Sequence, residues 1–151
     1  MTQKDYLEIL SKSLQDLDKS SAWLKRSYQK CRIIGIKGNY DESELEAFET
    51  LCNRFGRAVD MIVMKVLRNI DFVELEEPGT MLDVANRAEK KGIVESVDLL
   101  RAMKDLRNEL VHEYLEEDYV KKFEEVLLWT EKLFEIDGNI KRYCRKFETI
   151  E

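Results

Sequence analysis

Two apolar stripes with 3-4 spacing, each unbroken over the length of a long helix, constrain this chain more than any other feature. The first runs through Leu7, Leu10, Leu14, Leu17, Ser21, Leu24, Tyr28 and Cys31. At helical periodicity these positions share one face, so the spacing predicts a helix from about Lys4 to Ile33. Gly35, Gly38 and Asn39 then end it. The second stripe, Leu45, Phe48, Cys52, Phe55, Val59, Ile62, Val66 and Ile70, predicts another long helix that starts near Asp41 or Ser43. Two helices with continuous seams of this length pack against each other as antiparallel neighbours in a bundle. The chain has one proline and six glycines among 151 residues, too few for a many-turned β fold.

The remaining elements follow the same reading. FVELEEPGT is a connection that carries the sole proline. A short helix from about Thr80 to Lys91 stops at Gly92. A fourth helix begins near Ser96, a natural N-cap, and turns Leu99, Met103, Leu106 and Leu110 to the core. Leu100 and Val111 add apolar surface beside that stripe, as on a partner-facing helix. A fifth helix, about Glu117 to Ile136, is expected to bury Val120, Phe123, Leu127, Thr130 and Phe134, with Trp23 and Trp129 as packing anchors. The basic tail NIKRYCRKFETIE, residues 139–151, adds a helical turn or docks on the bundle. The expected architecture is an all-α, up-and-down bundle of four to five helices in one domain spanning 1–151.

Composition narrows the function classes. No apolar run approaches the ~20 residues of a membrane span. The N-terminal MTQKDYLEIL is charged and lacks the apolar core of a signal peptide, so a cytoplasmic location is expected. Cys31, Cys52 and Cys144 show no close spacing and there is a single histidine, which points to reduced thiols and to no zinc site or cofactor. A net charge of -6 argues against nonspecific nucleic-acid binding over the whole surface and leaves room for a local basic patch. Arg54, Arg57, Lys65 and Arg68 share one face of the second helix with Met61 among them. They form either a solvated face or a surface for RNA or an acidic partner. Lys141, Arg142, Arg145 and Lys146 in the tail allow the same two readings.

The only histidine stands in LRNELVHEY, Leu106 to Tyr114. Arg107 and Tyr114 lie seven apart, within about 20° of one helix face, and Asn108 and His112 are i, i+4 neighbours. On a regular helix Arg107 and His112 diverge by about 140°, so one helix does not close a compact site. Either the helix deforms near His112 or a second copy supplies the complementary groups. Histidine titrates near neutrality and moves protons; arginine offers a planar donor fork for phosphate. No cysteine or serine nucleophile lies near in sequence, and no carboxylate cage for a metal is evident. The set fits metal-independent RNA cleavage by the substrate's own 2'-hydroxyl, or a polar group near a helix end.

RNELVHEY, followed by LEED, resembles the signature of HEPN-domain proteins, R-N-x-x-x-H, and the pattern R-x4-H-x-Y is similar to the HepT-like toxin branch. The likeness extends to the order of elements: two long helices, a short one, a motif helix and a closing helix. It implies a homodimer along the motif helices, with Arg107, Asn108 and His112 lining a cleft that cleaves RNA without metal. It also implies a nucleotidyltransferase antitoxin as partner, which silences the toxin by adding AMP to Tyr114. A sister group with a similar motif serves as the non-catalytic, substrate-binding subunit of a small nucleotidyltransferase. Glu109, Glu113, Glu116, Glu117 and Asp118 would repel an RNA backbone near the motif.

Overall fold

The computed structural model describes residues 1–112 and 117–149, with the side chains of 1–112 and 120–148. Among these residues the chain is all-helical, and its helices form an all-α bundle around one apolar cluster. Helix α1 spans Gln3–Ile34 and opens on a capping box in which Thr2 and Asp5 satisfy each other's backbone N–H groups. Helix α2, Glu42–Asp60, opens the same way with Asp41 and Glu44. It passes without a break through a π-helical stretch, Met61–Val66, into α3, Leu67–Val73. Every predicted stripe residue of the second helix is buried except Leu45, which is half-buried.

These two long elements run antiparallel. Arg54 on α2 reaches the carbonyl of Trp23 and the hydroxyl of Ser27 on α1, while the Gln3 amide donates to the Val73 carbonyl at the other end. Helix α4, Met81–Lys90, has a Thr80–Asp83 capping box. It ends in a Schellman motif: Gly92, at φ 74°, donates to Glu89 and Ile93 donates to Ala88. That left-handed turn suits glycine, and it seats buried Ile93 beside the bundle.

Helix α5, Val97–His112, starts where expected, with the Ser96 hydroxyl accepting from the Leu99 N–H at 3.0 Å. Its inward face is Leu100, Met103, Leu106 and Leu110. Leu100 is fully buried, not partner-facing, and Leu99 is half-buried; only Val111, 56% exposed, remains open as predicted. The closing helix differs more. Residues Glu117–Lys122 are 3₁₀ helix, and α6 runs Phe123–Cys144, ending well beyond Ile136. Val120 is exposed, and the buried face is Phe123, Val126, Thr130, Leu133, Ile136 and Ile140. Gly138 sits inside the helix because the apolar periodicity continues past it. The basic tail is thus the end of α6 plus a 3₁₀ turn, Arg145–Thr149. It is tied down by Lys141–Asp18 at 2.8 Å and Lys146–Glu74 at 3.1 Å.

Two details hold α6 in place. The rings of Phe48 and Phe123 stack 4.2 Å apart at 10°, and Tyr28 of α1 meets Phe134 edge-on. Behind α3, nearly buried Asp71 accepts from Lys91 at 2.6 Å and Arg87 at 3.3 Å. Glu74 accepts from Tyr143 at 2.6 Å and pairs with Lys91 and Lys146. Burial pushes the Cys31 and Cys144 thiols up to about 11, so neither is a poised nucleophile. No described helix is long and apolar enough to cross a membrane.

Candidate functional site

Helix α5 lies antiparallel to α2, which brings Arg107 over Gly56 and against Asp60, the last α-helical residue of α2. The Arg107 Nη2 and Nε atoms both donate to Asp60 Oδ2, at 2.8 and 3.2 Å. One turn earlier on the same flank, Lys104 Nζ donates to Asp60 Oδ1 at 3.2 Å. Both ends of the carboxylate are therefore engaged by cations, and all three side chains stay partly exposed. The remaining guanidinium nitrogen, Nη1, donates to Asn108 Oδ1 at 3.4 Å, a long contact that orients the amide. Arg107 forms one wall of a groove of 440 Å³ with Asn53, Arg57, Asp60, Leu110 and Val111.

His112 closes α5 and is exposed. It makes no hydrogen bond or ion pair with Arg107, Asn108 or any other described residue, and it does not line the Arg107 groove. Helix α5 stays α-helical up to His112, so the divergence between Arg107 and His112 expected from helix geometry stands. Within one chain the two are not brought together. Tyr114 lies outside the described residues, as do Glu113 and Glu116 and the side chains of Glu117 and Asp118. Of the acidic neighbours, Glu109 is paired with Lys122 at 2.8 Å, which offsets its repulsion of an anion.

The basic face of the second helix divides. Arg54 is fixed against α1, donating to Trp23 O at 3.1 Å and Ser27 Oγ at 2.8 Å, with its guanidinium over the Trp23 ring. Arg68 turns the other way and donates to the Gly79 carbonyl at 2.9 Å, where it braces the connection before α4. Arg57 and Lys65 have no hydrogen bond or ion pair among the described residues. With Arg54 they line a second groove, of 700 Å³, whose other walls include Trp23, Met61 and Met64. Trp23 is not the packing anchor its size suggested: it is 51% exposed. Trp129 is half-buried against the core, as expected. The tail cations Lys141 and Lys146 are paired with acids of the bundle, as docking requires.

Sequence reasoning missed Asp60, Lys104 and Trp23. Lys104 was visible as an i−3 neighbour of Arg107 on a helix. Asp60 carries no local signal, because its role depends on contacts 44 and 47 residues away. Among the described residues no group of three or more His, Cys, Asp or Glu is arranged to hold a metal. Comparison of the chain with protein families, curated proteins and solved structures finds no match.

Proposed function

We propose that this chain is a HEPN-type ribonuclease toxin that cleaves RNA without metal, works as a homodimer, and is controlled by a nucleotidyltransferase antitoxin. The observation that carries the reading is Arg107, on the motif helix, facing a groove beside Arg57, which has no ion pair among the described residues, while His112 stands open at the end of that helix. In this reading Arg107 and Arg57 receive the scissile phosphate through charge-assisted hydrogen bonds. Since Arg107 and His112 of one chain diverge, the partner copy supplies the histidine across a two-fold axis, with exposed Val111 in the contact.

His112 removes the 2'-hydroxyl proton, and the 2'-oxygen attacks the adjacent phosphorus. The bond from phosphorus to the 5'-oxygen breaks, leaving a 2',3'-cyclic phosphate and a 5'-hydroxyl that gains a proton from the second histidine. Arg107 offsets the charge that develops on the phosphorane oxygens. Asn108 orients the histidine or the phosphate, and Tyr114 supports the site and is the acceptor for AMP. A bulky anion there would block the groove and compete for Arg107.

One observation favours a second reading. Asp60 already occupies two donors of Arg107, as it would in a non-catalytic subunit that presents substrate to a nucleotidyltransferase. Incubation of the purified protein with total RNA in excess chelator separates the two. Fragments ending in 2',3'-cyclic phosphate are expected; intact RNA, together with a stable complex with a nucleotidyltransferase, would favour the second reading.

A further inference from the structure

The groove between α1 and the π-helical stretch is not explained by the motif on α5. Its volume, 700 Å³, falls in the ~300–1,000 Å³ range of small-ligand pockets. Three features coincide there. The first is a large aromatic ring left in solvent: Trp23 is 51% exposed, with the guanidinium carbons of Arg54 and Arg26 at 4.9 and 5.0 Å from its centroid. The second is a pair of cations, Arg57 and Lys65, with no hydrogen-bonded or ion-paired acid among the described residues. The third is the π-helical turn itself, which carries Met61 and Met64 along the groove. Met64 is 59% exposed, and such turns recur at functional sites.

An exposed indole braced by a fixed guanidinium is a flat, polarisable platform. Arg54 is held by two hydrogen bonds as well as by the ring, so the platform is preorganised. A flat ligand gains stacking energy on it, and a ligand with an attached anion also reaches Arg57 and Lys65. Asp60 lines the same groove and offers a hydrogen-bond acceptor whose charge Arg107 and Lys104 offset. Planar base, sugar hydroxyl or amine donor, and phosphate are the three parts of a nucleotide, and each has a counterpart here.

We infer that this groove is a nucleotide-binding subsite, with the base stacked at Trp23 and the phosphate held by Arg57 and Lys65. Arg57 and Asp60 also line the groove of Arg107, so the two sites share a wall on α2. A strand with one base at Trp23 would pass its next phosphate over Arg57 towards Arg107. That extension rests on the ribonuclease reading; the subsite does not.

The test is fluorescence anisotropy of a labelled six-nucleotide RNA with every 2'-hydroxyl methylated, so that it binds and is never cut. Trp23→Ala is expected to weaken binding at least about fivefold, the lower end for loss of one base stack, while Trp23→Phe retains most of it. Arg57→Ala is expected to weaken binding and lower the salt dependence by roughly one phosphate contact. AMP serves as competitor. Displacement by AMP at micromolar concentration assigns the site to a free mononucleotide; displacement by unlabelled strand alone assigns it to RNA. Either outcome supports the subsite. Equal binding by wild type and Trp23→Ala of matched thermal stability would overturn it. So would absence of binding of the labelled strand by the wild type at low salt, or a change of oligomeric state on Trp23→Ala with nucleotide affinity unaltered. Since the probe cannot be cleaved, a protein that binds it through Trp23 yet leaves natural RNA intact would sink the ribonuclease reading and leave the subsite standing.

Discussion

Arg107 and Asp60, 47 residues apart in sequence, are joined by hydrogen bonds of 3.2 and 2.8 Å that hold the motif arginine to the last turn of α2. The pair decides how much of the guanidinium is left for a phosphate. Asp60→Asn removes the acid that, among the described residues, is paired with both Arg107 and Lys104, and the account predicts tighter binding of RNA with a steeper salt dependence. The fold should lose only about 0.5–1 kcal/mol, because the charges involved are partly exposed and screened. Thermal denaturation and an RNA titration at two salt concentrations check both halves.

The Phe48–Phe123 stack is where the first turn of α6 meets α2, and both rings are fully buried. Phe48→Ala is expected to destabilise by about 3–5 kcal/mol, combining lost transfer energy with the cavity left behind. Urea unfolding should show the midpoint falling with little change in slope. A loss under about 1 kcal/mol would mean that this contact does not form.

Acid sensitivity should centre on Glu74. Burial works to raise its carboxyl, but hydrogen bonds from Tyr143, Lys91 and Lys146 outweigh that and hold it below the ordinary 4.5. A carboxylate depressed in the folded state contributes stability above its unfolded value, and that contribution is lost as pH falls through the folded one. The wild type should therefore lose stability below about pH 4.5 more steeply than Glu74→Gln, which should be the less stable of the two at pH 7. Melting temperatures from pH 7 to pH 3 test this; parallel curves would contradict it.

Val111 precedes His112 on α5 and is 56% exposed. If two copies meet along α5, Val111→Glu places like charges across the two-fold axis and should convert the dimer to monomer without lowering the melting temperature of the monomer. Sedimentation velocity reads the outcome. A monomeric wild type would contradict the dimer outright.

The long helices were legible because their stripes are continuous and nothing interrupts them. The 3-4 spacing through Leu10, Leu17, Leu24 and Cys31 returned α1 to within a residue at either end, and Ser96 announced the start of α5 through cap chemistry, while the capping boxes at Asp41 and Thr80 emerge only in the structure. The start of the closing helix was misread, because Val120 looks apolar in sequence while the chain takes a 3₁₀ path there and leaves it exposed. The π-helical turn at Met61–Val66 left no sign in the pattern, since a single wide turn preserves an apolar face on both sides. The divergence of Arg107 from His112 was predictable from angles alone. Their surroundings were not, because Asp60 arrives from another helix and Trp23 is exposed by how α1 and α2 pack.

The most direct test compares wild type with His112→Ala and Arg107→Ala on natural RNA in excess chelator, each variant matched to the wild type in melting temperature. His112 is exposed and Arg107 partly so, which makes such matching attainable. The account predicts cleavage by the wild type, with rates reduced about 10²-fold or more in both variants, the usual contribution of a positioned acid–base group or transition-state charge. Cleavage that persists undiminished in His112→Ala would contradict the account.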